Sequence, residues 1–269
     1  MKAMESCAET FSIGGELPVR RIGYGAMGLT GPGYWYYPTD TDAALAVLRR
    51  AVDLGVNHID TADAYGPETS EHLIRKALHP YPDDLVIATK GGVTRQGPNR
   101  AARVGRPEYL RQCVEMSLRR LALDRIDLYY LHRIDPQVPV ADQIGALSDM
   151  RNEGKIRFIG LSKVTRSQIE RIVAETPIAA IQNRFNANDG DRQVLDYCTD
   201  TGTAFVPYSP FDQGKLPDVP GEDWHRFTTA QRTLAWLLSL SPVVLPIPGT
   251  TSLDHLAENM DVSLPARRG

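Results

Sequence analysis

Four side chains in the first half of the chain have types that together can deliver a proton to an oxygen: Asp60, Tyr65, Lys90 and His132. A phenol near an ammonium has its pKa lowered, because the positive charge favours phenolate. A carboxylate beside that ammonium keeps it charged. Such a phenol can protonate an oxygen that is becoming an alkoxide, while an imidazole holds the same oxygen by a hydrogen bond. Singly, each residue has a plainer explanation. Asp60 and Lys90 could be a structural ion pair, His132 a core histidine bonded to backbone, and Tyr65 a packing residue of a loop. The chemical explanation requires all four at one place, so it depends on the elements that carry them.

Short apolar runs alternate with amphipathic stretches from end to end. Arg21–Met27, His58–Asp60, Leu85–Lys90, Ile126–His132, Ile156–Ser162, Ile178–Asn183, Ala204–Tyr208 and Val243–Ile247 read as strands. Asp42–Leu54, Glu71–Leu78, Pro107–Leu121, Val140–Glu153, Ser167–Ala174, Arg192–Thr199, Thr229–Leu240 and Leu253–Met260 read as helices. In the first helix the apolar positions Ala44, Val47, Leu48, Ala51 and Val52 fall on one face. This alternation of eight βα units predicts an α/β chain folded as a (β/α)8 TIM barrel around a parallel sheet. Phe11–Ile13 and Leu17 flank Gly14–Gly15, which predicts an N-terminal β-hairpin placed to plug the barrel floor. No linker or charge block divides the chain, so residues 1–269 are expected to form a single barrel domain.

Barrels of this kind do their chemistry at the C-terminal strand ends. Those ends are Asp60, Lys90, His132, Ser162, Gln182, Tyr208 and the run Pro248–Thr251. Nearly all are polar although each closes an apolar run, which predicts a ring of polar groups around one mouth.

Composition excludes several classes. A net charge of −3 gives no reason to expect a nucleic-acid partner or attraction to a membrane surface. Cys7, Cys113 and Cys198 are scattered, without metal-ligand spacing, so no metal site is expected. Scattered cysteines fit a reducing compartment, hence a cytoplasmic location. The first residues lack the apolar stretch of a secretory signal, and runs such as Ala235–Leu238 are too short to span a bilayer. No heptad or apolar stripe indicates an oligomeric state.

The motif Gly55–Gly66, GVNHIDTADAYG, followed by Glu71, resembles the signature of the aldo-keto reductase superfamily. Ala88–Lys90, Leu131–His132, Gly160–Ser162, Tyr208–Pro210, Ile247–Thr250 and Glu258–Asn259 resemble its later motifs, in order along nearly the whole chain. The resemblance implies an Asp–Tyr–Lys–His tetrad at Asp60, Tyr65, Lys90 and His132, with Tyr65 as proton donor. It also implies reduction of a small-molecule aldehyde or ketone with NADPH, bound without a Rossmann domain. By the same resemblance, Ser162 and Gln182 hold the nicotinamide carboxamide, and Tyr208 stacks on the nicotinamide ring, followed by Ser209 and Pro210. Gly249, Thr250, Thr251 and Ser252 cradle the ribose and 2′-phosphate at a helix start, where free N–H groups favour anions. His255, Glu258 and Asn259 belong to the same seat. This chain departs from the family in three places: Lys163 replaces the usual asparagine, His255 a frequent arginine, and Gly249 a common lysine.

Tyr34, Trp35 and Tyr36, in the loop after the first barrel strand, are candidates to line a substrate wall, with loop packing an equal alternative. Arg95, Arg100, Arg103 and Arg106 follow the third strand. They read as a solvated surface, or as positive charge steering an anionic substrate or the cofactor pyrophosphate. Asp212–Trp224 could fold over the cofactor or simply connect. Two rival functions remain. A strand-end lysine can form a Schiff base, as in aldolases. A relative of this family can also act as a non-catalytic, cofactor-sensing binding protein.

Overall fold

The computed structural model describes residues 10–216, 219 and 227–262. Cys7 and most of the segment 212–224 that could cover the cofactor therefore lie outside the described residues. The chain opens with a hairpin, β1 (Thr10–Ile13) and β2 (Leu17–Arg20), turned through Gly14 and Gly15 at φ 62° and 79°. The barrel follows as β3 (Tyr24–Gly25), α1 (Thr41–Asp53), β4 (His58–Asp60), α2 (Thr69–Leu78) and β5 (Val86–Gly91). An excursion, β6 (Val93–Gly97) and β7 (Arg100–Arg103), precedes α3 (Pro107–Leu121). Then come β8 (Ile126–Leu131), α4 (Val140–Asn152), β9 (Ile156–Ser162), α5 (Arg166–Val173), β10 (Ala180–Gln182), α6 (Arg192–Thr201), β11 (Ala204–Phe205), α7 (Thr229–Leu240) and α8 (Leu253–Met260).

Seven parallel strands lie side by side in the order β3-β4-β5-β8-β9-β10-β11. Val243–Pro248 closes the circle without forming a regular strand, which corrects the expected eighth strand. On one side Phe205 donates to the Val243 carbonyl (2.9 Å) and Leu245 to that of Phe205 (2.8 Å). On the other, Gly23 and Gly25 donate to the carbonyls of Pro246 (3.0 Å) and Pro248 (3.2 Å). Neither proline can donate in return, so no continuous ladder forms along that seam. The expected first strand likewise shrinks to Tyr24–Gly25, and Ala26–Leu29 turns into a 3-10 helix. The result is a (β/α)8 barrel with an N-terminal hairpin.

Side chains alternate across each strand. The inward set, Val86, Ala88, Leu128, Tyr130, Ala180, Ala204, Val206, Leu245 and Ile247, packs with Ile13, Leu17 and Val19 of the hairpin. The hairpin thus seals one end of the barrel. Two residues further along each strand, the same inward columns reach Lys90, His132, Gln182 and Tyr208. The outward faces pack under the helices in separate clusters. Among the described residues, no helix is long and apolar enough to cross a membrane.

Candidate active site

Asp60 ends β4 and is buried, as is Tyr65 in the turn that follows. The turn is tied down by its own backbone. Tyr65 donates to the Ala62 carbonyl at 3.1 Å, and Ser70 to that of Tyr65 at 3.1 Å. Gly66, at φ 98°, lets the chain reverse where a Cβ would lie 2.3 Å from the Thr69 side chain. The loop after β3 clamps the turn from outside: Tyr36 donates to the Gly66 carbonyl (2.7 Å) and Gly66 to that of Tyr34 (3.2 Å).

Lys90 stands on the neighbouring strand β5, with no exposure at all. Its ammonium donates to Asp60 Oδ1 at 2.6 Å, to the Thr61 carbonyl at 2.7 Å and to Tyr65 Oη at 3.2 Å. Three acceptors use the ammonium's full donor capacity. His132 follows β8, and its ring meets the Tyr65 ring edge-on at 5.9 Å between centroids. The structure therefore gathers all four residues of the expected tetrad at one end of the barrel.

Burial sets the charge states here. It works to lower the Lys90 ammonium, but Asp60 and then Tyr65 outweigh it, and the pKa ends above the ordinary lysine value. Lys90 is thus charged at neutral pH. Burial raises the Tyr65 phenol, the Lys90 charge pulls it down, and the net is a rise. This corrects the expectation of a lowered phenol: in a closed site, desolvation exceeds the attraction of one ammonium. Tyr65 therefore keeps its proton at neutral pH. His132 is pushed well below the usual histidine range by burial, then by the charges of Lys90, Arg133, Lys163 and Arg95. Its imidazole is neutral.

Gln182, at the end of β10, donates its amide to Asp60 Oδ2 at 2.6 Å. Ser162 lies beside it in register on β9. Lys163 follows in a left-handed conformation (φ 57°), with its Nζ 5.2 Å from the centre of the Tyr208 ring. Tyr208 and Ser209 are half-buried and Pro210 is buried. At the far strand end, Thr250 accepts from Tyr24 Oη at 2.7 Å, and its own hydroxyl accepts from the Ser252 N–H at 3.1 Å. Ser252 caps α8 by accepting from the His255 N–H at 3.3 Å. His255 is exposed, Glu258 half-buried and Asn259 buried. A cavity of about 610 Å³ lies against this corner, lined among others by Gly28, Tyr34, Asn99 and Thr251. Trp35 packs on Tyr36 at 4.9 Å, while Tyr36 is 65% exposed and stands outside that lining.

Several contributors are not evident in the sequence. Arg120 donates to Glu71 at 2.5 Å and to Glu68 at 3.0 Å, and Thr89 donates to Glu71 at 2.7 Å. This buried network braces the start of α2 against the strand that carries Lys90. The available signal was a charged residue on the apolar face of α3. Arg95 donates to the Ala64 carbonyl at 2.7 Å, one residue before Tyr65, so it is no mere surface charge.

Residues 21–223 match the sequence model of the Aldo/keto reductase family. The chain belongs to that family. The reductase is 48% identical over 253 residues to an uncharacterized oxidoreductase of Schizosaccharomyces pombe, covering 91% of this chain and 82% of the other. It is 40% identical to pyridoxine 4-dehydrogenase of Escherichia coli, covering 94% and 92% of the two chains. Its fold matches a glycerol dehydrogenase of Gluconobacter oxydans with a TM-score of 0.84 at 24% identity, covering 95% of this chain and 90% of that one. An aldo/keto reductase of Klebsiella pneumoniae, solved with NADP and acetate, gives a TM-score of 0.77 at 25% identity, covering 96% and 92%. The reductase is an NAD(P)H-dependent oxidoreductase.

Proposed function

We propose that this reductase uses NADPH to reduce an aldehyde or ketone to the alcohol, with Tyr65 as general acid. The observation that carries the reading is Lys90, whose ammonium is committed to Asp60, the Thr61 carbonyl and Tyr65 Oη. Because Tyr65 Oη accepts from Lys90, its own proton is free to point at a substrate oxygen. The reduced nicotinamide, when bound, supplies the hydride to the carbonyl carbon. Tyr65 gives its proton to the carbonyl oxygen as negative charge develops there. Lys90 stabilises the phenolate left behind, and neutral His132 holds the same oxygen by a hydrogen bond.

The residues present fit a nicotinamide. With one amide N–H on Asp60, Gln182 retains a carbonyl and a second N–H for the carboxamide. Ser162 and Lys163 stand beside it, and Tyr208 offers its ring as the platform. Ser209, Pro210, Gly249, Thr250, Thr251, Ser252, His255, Glu258 and Asn259 form the seat for the rest of the cofactor. Tyr34 supplies the substrate wall, while Trp35 and Tyr36, outside the cavity lining, pair the loop with Gly66. Residues 1–269 act as one domain, and the free, buried Cys113 and Cys198 suit a reducing, cytoplasmic setting.

The test is NADPH oxidation across a panel of aldehydes and ketones that includes pyridoxal. Turnover of any member supports the reading. Cofactor binding without turnover favours a cofactor-sensing binding protein instead. His255→Arg should strengthen NADPH binding relative to NADH, because a guanidinium clamps a phosphate that imidazole only touches. Equal Kd for both cofactors in the unaltered protein would show that this helix start does not read the phosphate.

A further inference from the structure

Among the described residues, several surface arginines pair with carboxylates. Arg111 meets Glu153, Arg157 meets Glu16, Arg166 meets Glu170, Arg184 meets Asp189 and Arg192 meets Asp196. The cations around the barrel mouth behave differently. Arg133 follows His132 directly and is half-buried, and its Nε is enclosed without a hydrogen-bond partner among the described residues. Its charge is felt at His132, Lys163, Arg95 and Tyr208. Arg95 is anchored beside Tyr65 through the Ala64 carbonyl, with its guanidinium 5.3 Å from the centre of the Tyr34 ring. Lys163 lies over the Tyr208 ring, its Nζ 5.2 Å from the ring centre.

These like charges bear on one another. Lys163 is exposed as a residue, yet partial burial of its ammonium and then Arg133, Arg103 and Arg184 push it down to about 8. The leading charges acting on His132 and Lys163 are all cations. Arg133 adjoins His132 in the chain and Arg95 is held one residue before Tyr65, so two of these charges stand beside the groups that would receive a carbonyl. An anion between them removes the mutual repulsion and gains charge-assisted hydrogen bonds.

We propose that Arg133, flanked by Lys163 and Arg95, forms a subsite for an oxyanion carried by the carbonyl substrate, either a carboxylate or a phosphate. The proposal rests on the carbonyl-reductase reading above and narrows its substrate class. Arg133 is the specificity-determining residue, because it adjoins His132 in the chain and its enclosed Nε has no hydrogen-bond partner among the described residues. The cofactor pyrophosphate is the competing anion. The position of Arg133 and Arg95 beside His132 and Tyr65 favours the substrate.

Two aldehyde pairs test this, each sharing the reacting group and differing in charge. They are 4-carboxybenzaldehyde with methyl 4-formylbenzoate, and glyceraldehyde 3-phosphate with glyceraldehyde. The protein should prefer the charged member of at least one pair by about tenfold or more in kcat/KM, the scale of one charge-assisted hydrogen bond. The pair that shows the preference tells carboxylate from phosphate. Arg133→Met should remove most of the preference and Arg133→Lys should keep part of it. Neither change should alter kcat/KM for the neutral aldehydes or Kd for NADPH. Equal use of both members in both pairs, or a preference that survives Arg133→Met, overturns the proposal. So does an Arg133→Met variant that loses NADPH affinity, which assigns the cations to the cofactor. If no aldehyde is reduced, the carbonyl reading fails by itself, and calorimetric titration with terephthalate and with inorganic phosphate decides the subsite. Binding weakened by Arg133→Met supports it; binding that is absent or indifferent to the change overturns it.

Discussion

Lys90 acts on Tyr65 through charge as well as through a hydrogen bond, so its removal has a definite sign. The ammonium lowers the phenol pKa against burial. In Lys90→Met only the weaker pull of Arg95 still opposes burial, and the phenol pKa rises further. The protonated acid then persists to higher pH, so the alkaline fall of kcat for reduction should move upward. At neutral pH kcat should drop, because the phenolate left after transfer loses its counter-charge. A pH profile of kcat checks this, and an unmoved alkaline limb contradicts it. The four residues themselves were legible in the sequence, because strand ends in a barrel share one mouth. The direction of the Tyr65 shift was not, since desolvation depends on how completely the loop closes. Nor was the bond from Gln182 to Asp60, which joins residues 122 apart in the chain.

At the scale of elements, the barrel closes where its first and last strands approach through glycine. A Cβ on Gly25 would lie 2.7 Å from the Ile247 carbonyl oxygen, and one on Gly249 2.5 Å from that of Gly25. Gly25 has φ −88°, so its backbone conformation suits any residue and the constraint is contact alone. Gly25→Ala should therefore cost about 1–3 kcal/mol in urea unfolding, as overpacking against backbone does. Gly145, within α4, has open space around it, and Gly145→Ala should gain up to about 1 kcal/mol of helix propensity. Equal stabilities for the two variants would contradict the seam. The βα alternation was legible because buried strands and amphipathic helices differ in period. The hairpin β6–β7 was missed, since Val93–Gly97 and Arg100–Arg103 show no apolar alternation. Only the intervening Gly97–Pro98–Asn99 signalled a turn.

At the scale of the whole molecule, the barrel interior holds a histidine that resists protonation. His58 sits two residues before Asp60 on the same inward column, and neither ring nitrogen has a hydrogen-bond partner among the described residues. Burial lowers its pKa from 6.5 to about 4, with Asp60 opposing and Lys90 adding to the effect. The unfolded chain therefore takes up a proton first. The stability from neutral His58 is fully present above about pH 6.5 and is lost as pH falls toward about 4. Between those values Tm should fall more steeply than in His58→Gln, and parallel curves would contradict it. Asp63, pushed up to about 7 by burial, tilts stability the other way but equally in both proteins. On the proposed function, this frame aims one phenolic proton. Tyr65→Phe keeps the ring, its packing on His132 and the cofactor seat, and removes only the hydroxyl. The most direct measurement is kcat for reduction of the best aldehyde, taken together with Kd for NADPH. The account predicts a loss of about two or more powers of ten in kcat, with Kd nearly unchanged. A Tyr65→Phe variant that retains most of its kcat would contradict it.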